Sequence, residues 1–307
     1  MTRFGCKIIA PLLTAILVIG FCPTLRADEI AESARKIVEA NKDAIVTIEM
    51  VVEMKMSYEN QSEKRESKSS GTGVVVDPSG LVITSLTALN PGDRDMGEDS
   101  SMQVSTRIMD AKLRMPDGTE VPMDVVLRDR DLDMLFLRPK KPADQPFKCV
   151  SLAKSSAPQV LDTTLTLTRL GQIANRSISA SMDRVSAVVN KPRLCYVLSG
   201  ISGYSLGSPV FTLDGNLVGI TFVRSNPSKD DDSLTSRSDR MIPVTLPCSI
   251  IQSAAAQAMT AKPEKLGEEP IKPPVKPAVK PTEKPTEKPG TKPPAKPATK
   301  PPTKPAK

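Results

Sequence analysis

At 307 residues and 39% hydrophobic content, the chain is long enough for one large or two smaller packed domains. Its net charge of +7 resides in residues 262–307, where 12 Lys face 5 Glu; residues 28–261 hold 27 basic against 30 acidic side chains, which excludes a basic nucleic-acid reader as the folded body. The lack of any histidine or C-x-x-C spacing excludes an ordinary zinc site, and no cofactor or metal is expected.

In chain order, Arg3 and Lys7 precede an apolar run from Ile8 to Phe21 and then Leu25-Arg26-Ala27. This order of charge, short apolar core and small residue resembles a secretory signal peptide over residues 1–27, cleaved after Ala27, so the expected location is the periplasm or outside the cell. Asp28 to Asn41 has apolar residues at helical spacing with an acidic first turn, and Ala44 to Met54 alternates as a first strand. Tyr58 to Ser70 is polar and charged throughout, which predicts a mobile loop. The apolar runs on either side of Asp77-Pro78-Ser79-Gly80 make a hairpin on turn chemistry alone.

A second polar insertion follows at Asp93 to Ser105, and another hairpin turns at Pro116-Asp117-Gly118. Pro142 to Phe147 connects to a second half of short strands rich in Thr, Val, Ile and Ser: Val150–Leu152, Thr163–Arg169, Arg176–Val189 and Leu194–Leu198. Alternating apolar residues then flank Asp214-Gly215, which predicts a tight two-residue turn. Met241 to Val244 reads as a closing strand and Ser249 to Ala261 as a last helix. Cys149, Cys195 and Cys248 allow one disulfide with a thiol left over, or three small buried apolar side chains, and the second is expected.

Gly203-Tyr204-Ser205-Leu206-Gly207-Ser208-Pro209 with its hairpin resembles the nucleophile loop of trypsin-like serine proteases. Gly71-Thr72-Gly73 through Thr84-Ser85-Leu86-Thr87 resembles the segment before the general-base histidine in HtrA/DegP-type members, and Asp129 to Leu137 the segment holding the triad aspartate. The resemblance covers about residues 35 to 250. It implies an all-β fold of two six-stranded barrels with a cleft between them, over residues 28–261. It also implies catalytic positions at Thr87, Asp133 and Leu206, with Tyr204, Ser205 and Leu206 forming the oxyanion loop.

Two of those three positions lack the needed chemistry. A threonine hydroxyl cannot accept a proton near neutral pH and leucine has no nucleophile, while Asp133 is left as a carboxylate bonded to nearby amides. The expectation is a pseudoprotease that binds a peptide or unfolded protein segment in the cleft or at a barrel edge. One alternative is an active endopeptidase in which Ser205 shifts into the nucleophile position beside a lysine base. The other is a scaffold whose tail does the work. The Lys-Pro repeats of residues 262–307 predict an extended, disordered tail that either spaces the domain or binds an anionic envelope surface of cell-wall polymer or lipid. No PDZ module is expected between residue 261 and the tail.

Overall fold

A computed structural model describes residues 25–58, 61–90, 102–200, 203–225 and 241–267. Residues 1–24 of the expected signal peptide over residues 1–27, most of the second polar insertion and the tail from residue 268 lie outside the described residues.

A helix, α1 (Leu25–Asn41), leads into twelve strands: β1 (Ile45–Tyr58), β2 (Gln61–Val75), β3 (Val82–Ser85), β4 (Met102–Arg114), β5 (Glu120–Asp129), β6 (Met134–Pro139), β7 (Thr163–Arg169), β8 (Ile178–Val189), β9 (Cys195–Leu198), β10 (Pro209–Thr212), β11 (Leu217–Ser225) and β12 (Met241–Pro247). A single helical turn, α2 (Leu86–Leu89), follows β3, and α3 (Cys248–Thr260) follows β12. The strands close into two antiparallel barrels in the orders β1-β2-β3-β6-β5-β4 and β10-β11-β12-β9-β8-β7. The expected pair of six-stranded barrels is thus the fold.

Strand alternation sorts the core. Val46, Val82 and Leu135 join one buried cluster within the first barrel. Their chain neighbours Ile45, Ile83 and Phe136 join a second cluster, with Phe211, Ile220 and Phe222 of the other barrel and Ile251 of α3. Successive side chains on a strand point to opposite faces, so one run of apolar residues fills a barrel and glues it to its neighbour. Register shifts at Val51/Val52, Val125/Leu127, Val185/Ala187 and Val210/Phe211 bend the strands toward closure.

Two expectations are corrected. The run from Tyr58 to Ser70 is no loop: β2 pairs with β1 from Tyr58↔Gln61 to Ile45↔Val74, and β1 pairs with β4 on its other side. A ribbon needs only its backbone partners, so charged side chains can occupy its open faces. Glu53 meets Lys64 at 3.6 Å and also pairs with Arg107. The turn at Asp214-Gly215 is longer than two residues. The amide of Gly215 donates to Thr212 O at 2.9 Å, so Leu213 and Asp214 are its centre. Gly215 follows at φ 80°, a value that Gly80 and Gly118 approach in the other two hairpins.

The first six residues of the expected tail also have a place in the fold. The amide of Glu264 donates to Val125 O at 2.8 Å and that of Gly267 to Ile108 O at 2.9 Å. Leu266 packs on the core of the first barrel, and Glu264 pairs with Arg128 at 2.6 Å. Arg138 in β6 donates to Met259 O and Ala261 O at 3.0 and 3.2 Å. The chain therefore leaves the second barrel through α3 and straps itself across the first.

Arg169, at the end of β7, ties the barrels from the other side. Its guanidinium donates to Ile45 O at 2.7 Å and Lys42 O at 2.6 Å. Burial pulls its pKa below the usual arginine range.

Candidate active-site cleft

The loop after β9 ends in a short 3-10 turn, Gly203–Ser205, and runs through Leu206 into β10. Gly207 has φ 78°, and a methyl group there would lie 2.4 Å from Thr72 O, 2.9 Å from Thr84 Oγ1 and 3.1 Å from the Ser85 amide. Only glycine fits that approach. The loop apex is therefore held against the end of β3, two residues before Thr87. The Gly207 amide donates to Thr221 O at 2.7 Å, and Ser208 Oγ lies 2.9 Å from Thr168 Oγ1.

Asp133 lies on the tight turn into β6, with φ 60° and 4% exposure. Its carboxylate accepts three hydrogen bonds. Oδ1 accepts from the Thr87 amide at 2.7 Å, while Oδ2 accepts from Ser85 Oγ at 2.6 Å and from the Val223 amide of β11 at 2.9 Å. Its own carbonyl accepts from the Leu86 amide at 2.9 Å. Ser85 caps α2 as well, because its Oγ accepts from the Ala88 amide at 3.2 Å.

The trypsin-like peptidase domain family matches residues 71–220, the stretch that holds this loop, the turn and Asp133. The chain carries a trypsin-like peptidase domain. No curated protein matches it. Among solved structures, the HtrA-type protease AlgW with decapeptide is similar at 15% identity and a TM-score of 0.48, over 74% of this chain and 67% of that one. That likeness is too distant to bear on activity.

Within the trypsin-like domain, Thr87 and Asp133 are brought together, joined through the Thr87 backbone amide. Leu206 is 7% exposed, whereas Tyr204 is 90% exposed and Ser205 half-buried. The Ser205 hydroxyl makes no hydrogen bond among the described residues, although Ser205 O accepts from the Ser208 amide at 3.1 Å. Sequence reasoning missed Ser85 and Val223. A serine just ahead of Leu-Thr-Ala-Leu is a legible helix cap, but no local pattern announces an amide that arrives from 90 residues away.

All three described cysteines are free, with Cys195 and Cys248 buried and Cys149 half-buried. The Cys248 thiol donates toward Leu217 O at 3.4 Å, and burial pushes it up to about 11.

Proposed function

We propose that the trypsin-like domain is an exported pseudoprotease that binds peptide segments and does not cleave them. The residue at the base position carries this reading. A triad aspartate must accept a hydrogen bond from the base that it orients. Here the base position holds Thr87, whose hydroxyl cannot take up a proton near neutral pH, so Asp133 orients no base and holds two backbone amides and a serine hydroxyl. Leu206, buried at the loop apex, supports the same conclusion from the nucleophile side.

The binding mode is strand addition at β11. Pairing of β10 with β11 stops at Ile220, and Thr221 is bonded by Gly207 and Ser208. Val223 gives its amide to Asp133, so Arg224 and Ser225 pair with β12 on one side while their other side has no strand among the described residues. An extended peptide gains main-chain hydrogen bonds on such an edge without using any catalytic group.

The test is exposure of the purified protein to a fluorophosphonate probe and to unfolded casein, beside binding of casein fragments. Binding without labelling or cleavage is expected. Labelling that disappears in Ser205→Ala would overturn the reading in favour of a shifted nucleophile. For the Lys-Pro segment beyond residue 267, the proposal is an anionic envelope surface as its contact, held by spaced lysines and weakened by salt.

A further inference from the structure

The ribbon that extends the first barrel has an open edge. β2 pairs with β1 from Tyr58↔Gln61 to Ile45↔Val74, but with β3 only at Gly73, Val74 and Val75. Just before those residues α2 covers the edge: Ser69 Oγ donates to Leu89 O, and a methyl group on Gly71 would lie 3.2 Å from the Leu89 side chain. Residues 62–68 have no strand or helix on that side among the described residues, and all of them are exposed. An unpaired strand edge presents a row of backbone N–H and C=O groups and is a template for another strand.

The charges along this edge are at odds with the hairpin that carries them. Lys64 stands directly opposite Lys55, and Glu66 directly opposite Glu53. Like charges so placed destabilise a sheet. Lys64 is relieved by Glu53 at 3.6 Å, whereas Glu66 forms no ion pair among the described residues.

A second β2, laid antiparallel along the first, resolves both rows. A two-fold axis normal to the sheet keeps each residue on the same face in both copies, so the axis must pass through a residue position. Centred on Lys64, the pairing would line up lysines alone across both hairpins; centred on Glu66, glutamates alone. Centred on Ser67, it would run into the stretch that α2 covers. Centred on Arg65, it overlaps residues 62–68 with themselves and sets Lys64 opposite the partner's Glu66. Each row then reads Lys55, Lys64, Glu66, Glu53 across the two copies. Arg65 meets its own copy, with the partner's Glu63 on the diagonal.

We propose that β2 is an interface for a second copy of this chain, joined edge to edge about Arg65 into one sheet in the order β4-β1-β2-β2-β1-β4. Charges on an edge strand ordinarily deter partners. Here they select one, because a strand of the same sequence in this register answers Lys64 with Glu66. The contact is confined to a short edge, so association depends on protein concentration. It uses no residue of the cleft and stands apart from the peptide-binding reading.

Sedimentation of the full-length protein at rising concentration tests it. The mass should climb from one chain toward two and fall back as salt is added. Lys64→Glu and Glu66→Lys should each weaken association roughly tenfold without moving the melting transition. Mixing the two variants should restore it, since one edge is then acidic at both positions and the other basic. Oxidation of Arg65→Cys, which lies on the axis, should link two chains beyond the level seen in wild type. Lys64→Cys should not, because its two copies stand about 8–9 Å apart. A mass of one chain at every concentration up to about 1 mM overturns the proposal. So does a dimer that the charge reversals leave intact, or equal cross-linking at positions 64 and 65.

Discussion

Val223 and Asp133, 90 positions apart and in different barrels, are joined by a hydrogen bond of 2.9 Å from the Val223 amide to Oδ2. The bond gives Asp133 a role that needs no catalysis, since it fastens the second barrel to the turn that positions α2. Asp133→Asn places an NH2 group where at least one of three donors now points. An unsatisfied buried donor costs ~1–3 kcal/mol. The expected result is a melting temperature lower by about 2–12 °C in calorimetry.

Glu49 supplies a second tie between the barrels, and its effect depends on pH. It bonds Arg114 of β4 at 3.0 and 3.1 Å and Arg176 of the β7–β8 loop at 2.8 Å. The Arg114 bond, followed by that of Arg176, holds its carboxyl below the ordinary carboxylate value, against a partial desolvation that acts the other way. A carboxyl lowered by folding stabilises the fold above its unfolded value of about 4.3, and the contribution is lost as pH falls through the folded value. Wild type should therefore melt above Glu49→Gln by a constant margin near neutral pH, and the margin should close below about pH 4.

Cys149, Cys195 and Cys248, the three cysteines among the described residues, predict a reactivity order. Cys248 is buried with its pKa raised to about 11, and burial first, then the charge of Asp77, also raises Cys149. A thiolate is the reactive form. In Ellman titration at pH 8 the folded protein should react slowly, with the half-buried Cys149 first, and all three should react at once after denaturation.

The docked segment 262–267 separates two truncations. Ending the chain after Gly267 should leave the melting temperature unchanged while removing salt-sensitive binding to vesicles containing anionic lipid. Ending it after Ala261 should lower the melting temperature by several degrees, because the Leu266 contact, the Glu264–Arg128 pair and two backbone bonds go with it. Vesicle binding that survives the first truncation would overturn the anionic-surface proposal.

The barrels were legible in the sequence because their information is local. Alternating β-branched residues and the Asp-Pro-Ser-Gly, Pro-Asp-Gly and Asp-Gly turns specify strands and reversals within a few positions. The β1–β2 ribbon was not legible, since residues 62–68 are exposed and polar and leave no alternation to read. The strap was masked by its Lys and Pro neighbours, although Leu266 is the apolar residue that anchors it. At the cleft, substitution of the base and nucleophile positions could be read from Thr87 and Leu206 alone. The hydrogen bond from Val223 to Asp133 arises only when distant strands meet, so no window of sequence contains it.

The strap has a consequence for how the halves come apart. The connector over residues 140–149 is the covalent link between the barrels, but the chain returns from the second barrel to lie along β4 and β5 of the first. A protease cut in that connector should leave a nicked molecule that still migrates as one species under native conditions and separates into two fragments only in denaturant. Neither half is a free-standing module, and splitting the gene at the connector should yield pieces that fold only when expressed together.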